Sequence, residues 1–150
     1  DNHDSNKIIS DEEIFKFIVD NFALDQQKSD QIFINDRKFS CKLVASNILW
    51  IEFSDFFKEA TGSIDYTYIS KKFDWVFISN FKKNDDDTID TIRRFISFID
   101  ITYTNKTKIK FFFGDITIES IHTGSKIENL WVRCKSRLSE MRTQEYLTNN

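Results

Sequence analysis

A mixed α/β (α+β) fold is predicted, with a small antiparallel meander followed by a βαβ unit and a C-terminal helix. Three observations predict it. Residues 31–53 contain three β-rich runs parted by turn residues. Residues 73–113 read as strand, helix and strand. Leu130, Cys134, Leu138, Met141 and Glu145 recur at helical spacing near the end. With 150 residues, 40% hydrophobic content and 16 Phe, the chain is the size of one domain and can bury a core. The expected organisation is a single region: a disordered end over 1–10, a helix plus the meander over 11–60, and the helices, βαβ unit and terminal helix over 61–150.

Ser10-Asp11-Glu12-Glu13 has the form of a capping box and precedes Ile14, Phe15, Phe17, Ile18 and Phe22, which predicts a helix over about 11–22. Gln31 to Ile34, the turn Asn35-Asp36-Arg37, Lys38 to Ala45, and Ile48 to Phe53 supply the meander. Ser54 is placed to cap a short helix running to about Glu59, Gly62 breaks it, and Asp65 starts another to about Lys72. The run FDWVFIS at 73–79 is apolar on both faces, as a covered strand would be. After an acidic loop, a helix from about Thr88 to Thr104 carries RRFISFIDITY, and KIKFFF at 108–113 makes the second strand. Joined through that helix, the two strands should be parallel. The last helix is expected over about 130–147.

Several chemistries are excluded. The net charge of −3 and pI near 5.4 give no basic field for nucleic acid. Cys41 and Cys134 lack the spacing of a zinc site and make a poor disulfide framework, so a reducing interior is expected. No apolar run approaches the roughly 20 residues needed to span a bilayer. No segment fits the phosphate-cradling G-x-x-x-x-G-K-[ST] loop; TGSK at 123–126 lacks both spacing and order. Asp85, Asp86, Asp87 and Asp90 lack the glycine and closing glutamate of a calcium loop and suit a helix N-terminus instead. His3 and His122 stand without the partners of a triad or a metal site, and no metal is expected.

Arginines remain. In the helix from Thr88 to Thr104, Ile89, Ile92, Phe95, Ile96, Phe98, Ile99 and Tyr103 form an apolar face, with Asp90, Arg93, Ser97 and Asp100 opposite and Arg94 at the margin. Arg133 and Arg137 stand four apart on the last helix. Two readings fit: a solvated face with local ion pairs, or contact with an anion or acid from another segment, for which guanidinium is the suited fork.

The segments GSIDY at 62–66, FDWVFISN at 73–80, RRFISFIDITY at 93–103, the strand at 108–113 and R-x-K-SRLSEMRTQEYL at 133–147 resemble, in this order, the C-terminal part of the AFG1/ZapE-like AAA+ ATPases. The stretch IFINDRKFSCKLVASNILWIEFSDFF at 32–57 is similar to the small-domain segment of that family. Departures occur in the loop before Asp65, at Ile89 where an arginine is usual, and at Asn80-Phe81-Lys82. The resemblance implies the C-terminal segment of a P-loop ATPase, with ATP and Mg²⁺ as cofactors of the complete protein. It implies an N-terminal P-loop portion of the same protein as partner, a division or membrane protein as client, and homo-oligomerisation. It points to Arg93, Arg94, Arg133 and Arg137 as nucleotide-sensing or intersubunit residues, and to Gly62, Asp65, Tyr66, Asp100, Tyr103, Ser136 and Glu140 as its structural motif. The implied setting is the cytoplasm, at most peripheral to a membrane, or the mitochondrion in a eukaryote. Walker A and Walker B segments are absent from these 150 residues, so this polypeptide alone should not hydrolyse ATP. The rival reading is a non-catalytic interaction module.

Overall fold

The computed structural model describes residues 9–24 and 28–148. The expected disorder over 1–10 therefore falls mostly outside the described residues, but Ser10 is ordered and caps α1 (Asp11–Asn21). Its hydroxyl accepts from the Glu13 N–H at 3.2 Å while Glu13 Oε1 accepts from the Ser10 N–H at 3.2 Å, which completes the capping box.

The meander comprises β1 (Lys28–Ile34), β2 (Arg37–Ala45) and β3 (Ile48–Glu52), paired antiparallel. Asn35 and Asp36 both take positive φ, 50° and 68°, the geometry of a two-residue hairpin turn that asparagine and aspartate tolerate. From β3 the chain runs through α2 (Phe53–Phe57) and α3 (Ser63–Lys72) into β4 (Trp75–Ser79), which lies parallel to β3. A 3₁₀ turn at Asp86–Thr88, α4 (Ile89–Thr104) and β5 (Lys108–Phe111) follow, and β5 lies parallel to β4 as expected. Meander and βαβ unit are thus one sheet in the order β1-β2-β3-β4-β5.

Side-chain alternation gives the sheet two apolar faces. Leu49, Ile51, Val76, Ile78 and Ile109 face α2, α3, α4 and the helix α6 (Glu128–Met141) in the larger core. Ile48, Trp50 and Phe77 face Ile14 and Ile18 of α1 in the smaller one. Phe53, Phe57, Tyr66, Phe95 and Phe98 are all fully buried and pack ring on ring beneath α4. Of the 16 Phe, only Phe15 and Phe33 are among the large exposed apolar side chains.

Several details differ from the expectation. Ser54 does not cap α2: Glu52 occupies that position, and the Ser54 hydroxyl donates to the Asn80 carbonyl instead (3.1 Å). Helix α3 starts at Ser63, because the Asp65 carboxylate reaches back to the Gly62 N–H at 2.9 Å. The terminal helix is broken into α6 and α7 (Gln144–Thr148), since Thr143 bonds the Glu140 carbonyl (2.7 Å) and accepts from the Tyr146 N–H (3.2 Å). On α6 the buried stripe runs through Trp131, Cys134, Leu138 and Met141, while Leu130 is exposed. A short α5 (Ile118–Ile121), capped by Thr117, had no periodic signal to reveal it.

Candidate functional site

The candidate residues fall into two groups. The first surrounds the start of α3. Asp65 is buried, and its Oδ2 accepts from Arg37 Nη2 (2.6 Å) and from the Gly62 N–H. The other half of the Arg37 guanidinium donates to the Ala60 carbonyl (2.7 Å), so one arginine ties the β1–β2 hairpin to the α2–α3 loop. Tyr66, fully buried, shares a 2.7 Å hydrogen bond with Thr61 Oγ1. Gly62 is extended, and a Cβ there would meet nothing within 4 Å, so its conformation does not require glycine. Asp65→Ala should destabilise the fold by about 1–2 kcal/mol, because it takes the carboxylate from a half-exposed guanidinium and the cap from the Gly62 N–H. A urea midpoint indistinguishable from the parent would remove this pair from the fold's supports.

The second group joins α4 to α6. Asp100 accepts from Arg137 Nη1 through Oδ1 and lies 3.6 Å from Arg133 Nη2 through Oδ2. The Arg137 guanidinium also lies over the Tyr103 ring, 5.2 Å from its centroid, and the Tyr103 hydroxyl donates to Glu140 Oε1 at 2.8 Å. That bond, with its charge, raises the Tyr103 pKa. Of the expected structural motif, Asp100, Tyr103 and Glu140 therefore join the candidate arginine Arg137 in one contiguous network, whereas Ser136 is exposed beside it with no side-chain hydrogen bond among the described residues.

The four arginines divide by environment. Arg133 and Arg137 are held by Asp100. Arg94, half-buried, donates to the carbonyls of Phe57 (3.1 Å) and Lys58 (3.4 Å), the end of α2. Arg93 is exposed on α4, and its side chain has no hydrogen bond, ion pair or ring contact among the described residues. An acid from another segment, one of the two readings open in the sequence, is thus what meets Arg133 and Arg137.

The TGSK loop is already filled from within. Asp86 accepts from the N–H groups of Ser125 and Lys126, both at 3.3 Å, and a Cβ on Gly124 would lie 2.1 Å from Asp86 Oδ1. An internal carboxylate sits where a phosphate would have to. A cleft that sequence reasoning missed lies at the carboxyl ends of β3, β4 and β5, about 220 Å³ in volume and lined by Asp11, Glu52, Asn80 and Asp115 among others. Its position follows the rule for open α/β sheets, but its size and acidity do not suit a nucleotide's phosphates. Burial, then a hydrogen bond with Asp55, raises the Glu52 pKa. No His, Cys, Asp and Glu grouping fit for a metal exists among the described residues, and no helix there is long and apolar enough to cross a membrane.

Burial is the main cause of three further shifts. It pushes Tyr66, Tyr146 and Cys41 up to about 12, from ordinary values of 10.0, 10.0 and 9.0. Each group is raised above its unfolded value, so the stability it lends is whole below about pH 9 and is lost as pH climbs toward 12. Alkaline unfolding followed by circular dichroism should coincide with ionisation of Tyr66 and Tyr146, followed by their ring signals; full ionisation of both at pH 10 in a folded chain would contradict this.

Comparison with known proteins completes the picture. The model of the AFG1-like ATPase family matches residues 3–150. The cell division protein ZapE of Escherichia coli K12 is 26% identical over 122 residues, covering 81% of this chain and 32% of ZapE. The uncharacterized protein C115.02c of Schizosaccharomyces pombe is 22% identical over 151 residues, covering 82% of this chain and 33% of its own length. The chain thus spans about a third of the curated relatives it matches, and no solved structure matches it. Matched over nearly its whole length, the chain belongs to the AFG1-like ATPase family.

Proposed function

We propose that this polypeptide is the C-terminal portion of an ATPase that couples ATP hydrolysis to action on a protein client, its P-loop supplied by an N-terminal portion. The family match over residues 3–150, in a chain without a Walker A segment, carries this reading. ATP and Mg²⁺ would bind the P-loop portion, and this chain would contribute Arg93 to a charge outside itself while Arg94, Arg133 and Arg137 hold the helices that present it. The client would be a division or membrane protein, met in the cytoplasm at the membrane face, or in the mitochondrion of a eukaryote. Homo-oligomerisation would bring nucleotide and arginine together across subunits.

A second reading, a non-catalytic interaction module, is favoured by the packed core: 12 of the 16 Phe are buried within these residues alone. The intact mass of the native polypeptide in its source cell separates the two. A mass well above 17.9 kDa, with upstream peptides containing a GK[ST] loop, supports the ATPase reading. A mass near 17.9 kDa overturns it in favour of the module, unless a second polypeptide bearing the P-loop co-purifies.

A further inference from the structure

Strand β1 is an edge of the five-stranded sheet: β2 pairs along one side of it, and no described strand pairs along the other. The hairpin decides which backbone groups face that open side. In a two-residue hairpin the closing residues, Ile34 and Arg37, exchange backbone bonds, and alternation gives the same to Ile32 and Phe39. Gln31 and Phe33 therefore turn their N–H and C=O groups outward. The Gln31 N–H bears this out, since it is met by the Ser29 hydroxyl (3.1 Å). The edge is guarded unevenly. Lys28, Asp30 and an irregular register between Ser29 and Gln31 protect its first half, whereas Gln31 to Ile34 carry no charge and no proline, and the Phe33 ring is 64% exposed.

We propose that a second copy of this chain pairs antiparallel with the β1 edge across a two-fold axis, joining the two sheets into one. A strand that pairs with itself must match its own sequence read in reverse, and here its charges choose the register. With Ile32 on the axis, Gln31 stands opposite Phe33 of the second copy, and these outward-facing residues exchange about four backbone hydrogen bonds over the two halves. Lys28 then stands opposite Asp36 of the second copy; both are exposed, and neither has an ion pair among the described residues. Moving the axis to Phe33 sets Lys28 against Lys38 and Asp30 against Asp36, like charge on like. Moving it to Gln31 leaves Lys28 against the apolar Ile34. The charges that would repel an unmatched strand thus fit a second copy. Both β1 edges are used up, so the assembly closes as a dimer. The contact involves neither nucleotide nor Arg93, so it is tested apart from the ATPase reading and from any association across nucleotide sites.

The test is sedimentation equilibrium of the 150-residue chain, without nucleotide, over a concentration series. A contact between two strands is small, so the expected Kd is about 100 µM, with the mass rising from 17.9 kDa toward twice that value. Hydrogen exchange at the Phe33 amide, fast in the monomer, should slow about threefold at about 500 µM chain. Gln31→Pro removes an outward N–H and leaves the bonds to β2 in place, so it should weaken association at least about tenfold. Lys28→Glu sets like charges opposite each other at exposed positions and should weaken it about fivefold at unchanged Tm. Association unchanged in Lys28→Glu would overturn the proposal even where Gln31→Pro fails to fold, as would a dimer in which Phe33 exchange is as fast as in the monomer. A mass that stays at 17.9 kDa up to about 500 µM would overturn it in favour of a strand from another protein on this edge.

Discussion

Phe57→Ala is expected to lower the unfolding free energy by about 4 kcal/mol. Phe57 has no exposed surface, and its ring touches those of Phe53, Phe56, Tyr66, Phe95 and Phe98 at centroid distances of 5.2–6.2 Å. Truncation removes the transfer energy of the ring and leaves a cavity walled by other rigid rings, which cannot collapse to fill it. Against a total stability of about 5–15 kcal/mol for a domain of this size, the loss is large enough to leave a visible unfolded fraction. Urea denaturation of the two proteins measures it. Phe33→Ala is the control: that ring is 64% exposed, and its removal should change stability by no more than about 0.5 kcal/mol. Equal costs for the two variants would mean that the aromatic cluster is not the core.

Arg93→Ala, placed in a complete protein that includes the P-loop portion, is expected to lower ATP turnover about 10³-fold with no change in the urea midpoint. Arg93 has nothing to hold within the described chain, so its removal costs the fold little. A guanidinium that meets developing charge on a phosphoryl group contributes most where it is already positioned, and α4 is fixed by the buried side chains Ile92, Phe95, Ile96, Phe98 and Ile99 rather than by Arg93 itself. Arg137→Ala should behave in the opposite sense. Asp100 would keep only the looser 3.6 Å contact to Arg133, and the protein should lose about 1–2 kcal/mol of stability with a smaller effect on turnover. Normal turnover with Arg93→Ala, beside a stable but inactive Arg137→Ala, would exchange the roles of the two residues.

Much of the architecture could be read from residues close together in the chain. The Ser10 to Glu13 capping box, the turn at Asn35-Asp36, the apolar stripe of α4 and the covered strands, expected over 73–79 and 108–113 and found at Trp75–Ser79 and Lys108–Phe111, each depend on neighbours within a few positions. The misplaced boundaries were local too, but they turned on which of several competing polar groups took a bond. Ser54 could have capped α2, and Thr143 could have continued a helix; single hydrogen bonds of about 1 kcal/mol decided otherwise.

The candidate site was legible only in part. Asp100, Tyr103, Arg133, Arg137 and Glu140 could be named, but not which arginine would be held and which left exposed. Arg137 meets Asp100 across 37 positions, Arg94 meets Phe57 across 37, and Arg37 meets Asp65 across 28. The filling of the TGSK loop by Asp86 spans 39 and 40 positions. Local pattern settles the period of each helix and strand, because propensity and capping act within a turn or two. The pairing of β3 with β4 into one sheet, and the sorting of the arginines, came from packing between segments far apart in the chain, where buried area and the cost of an unpaired charge choose the partner.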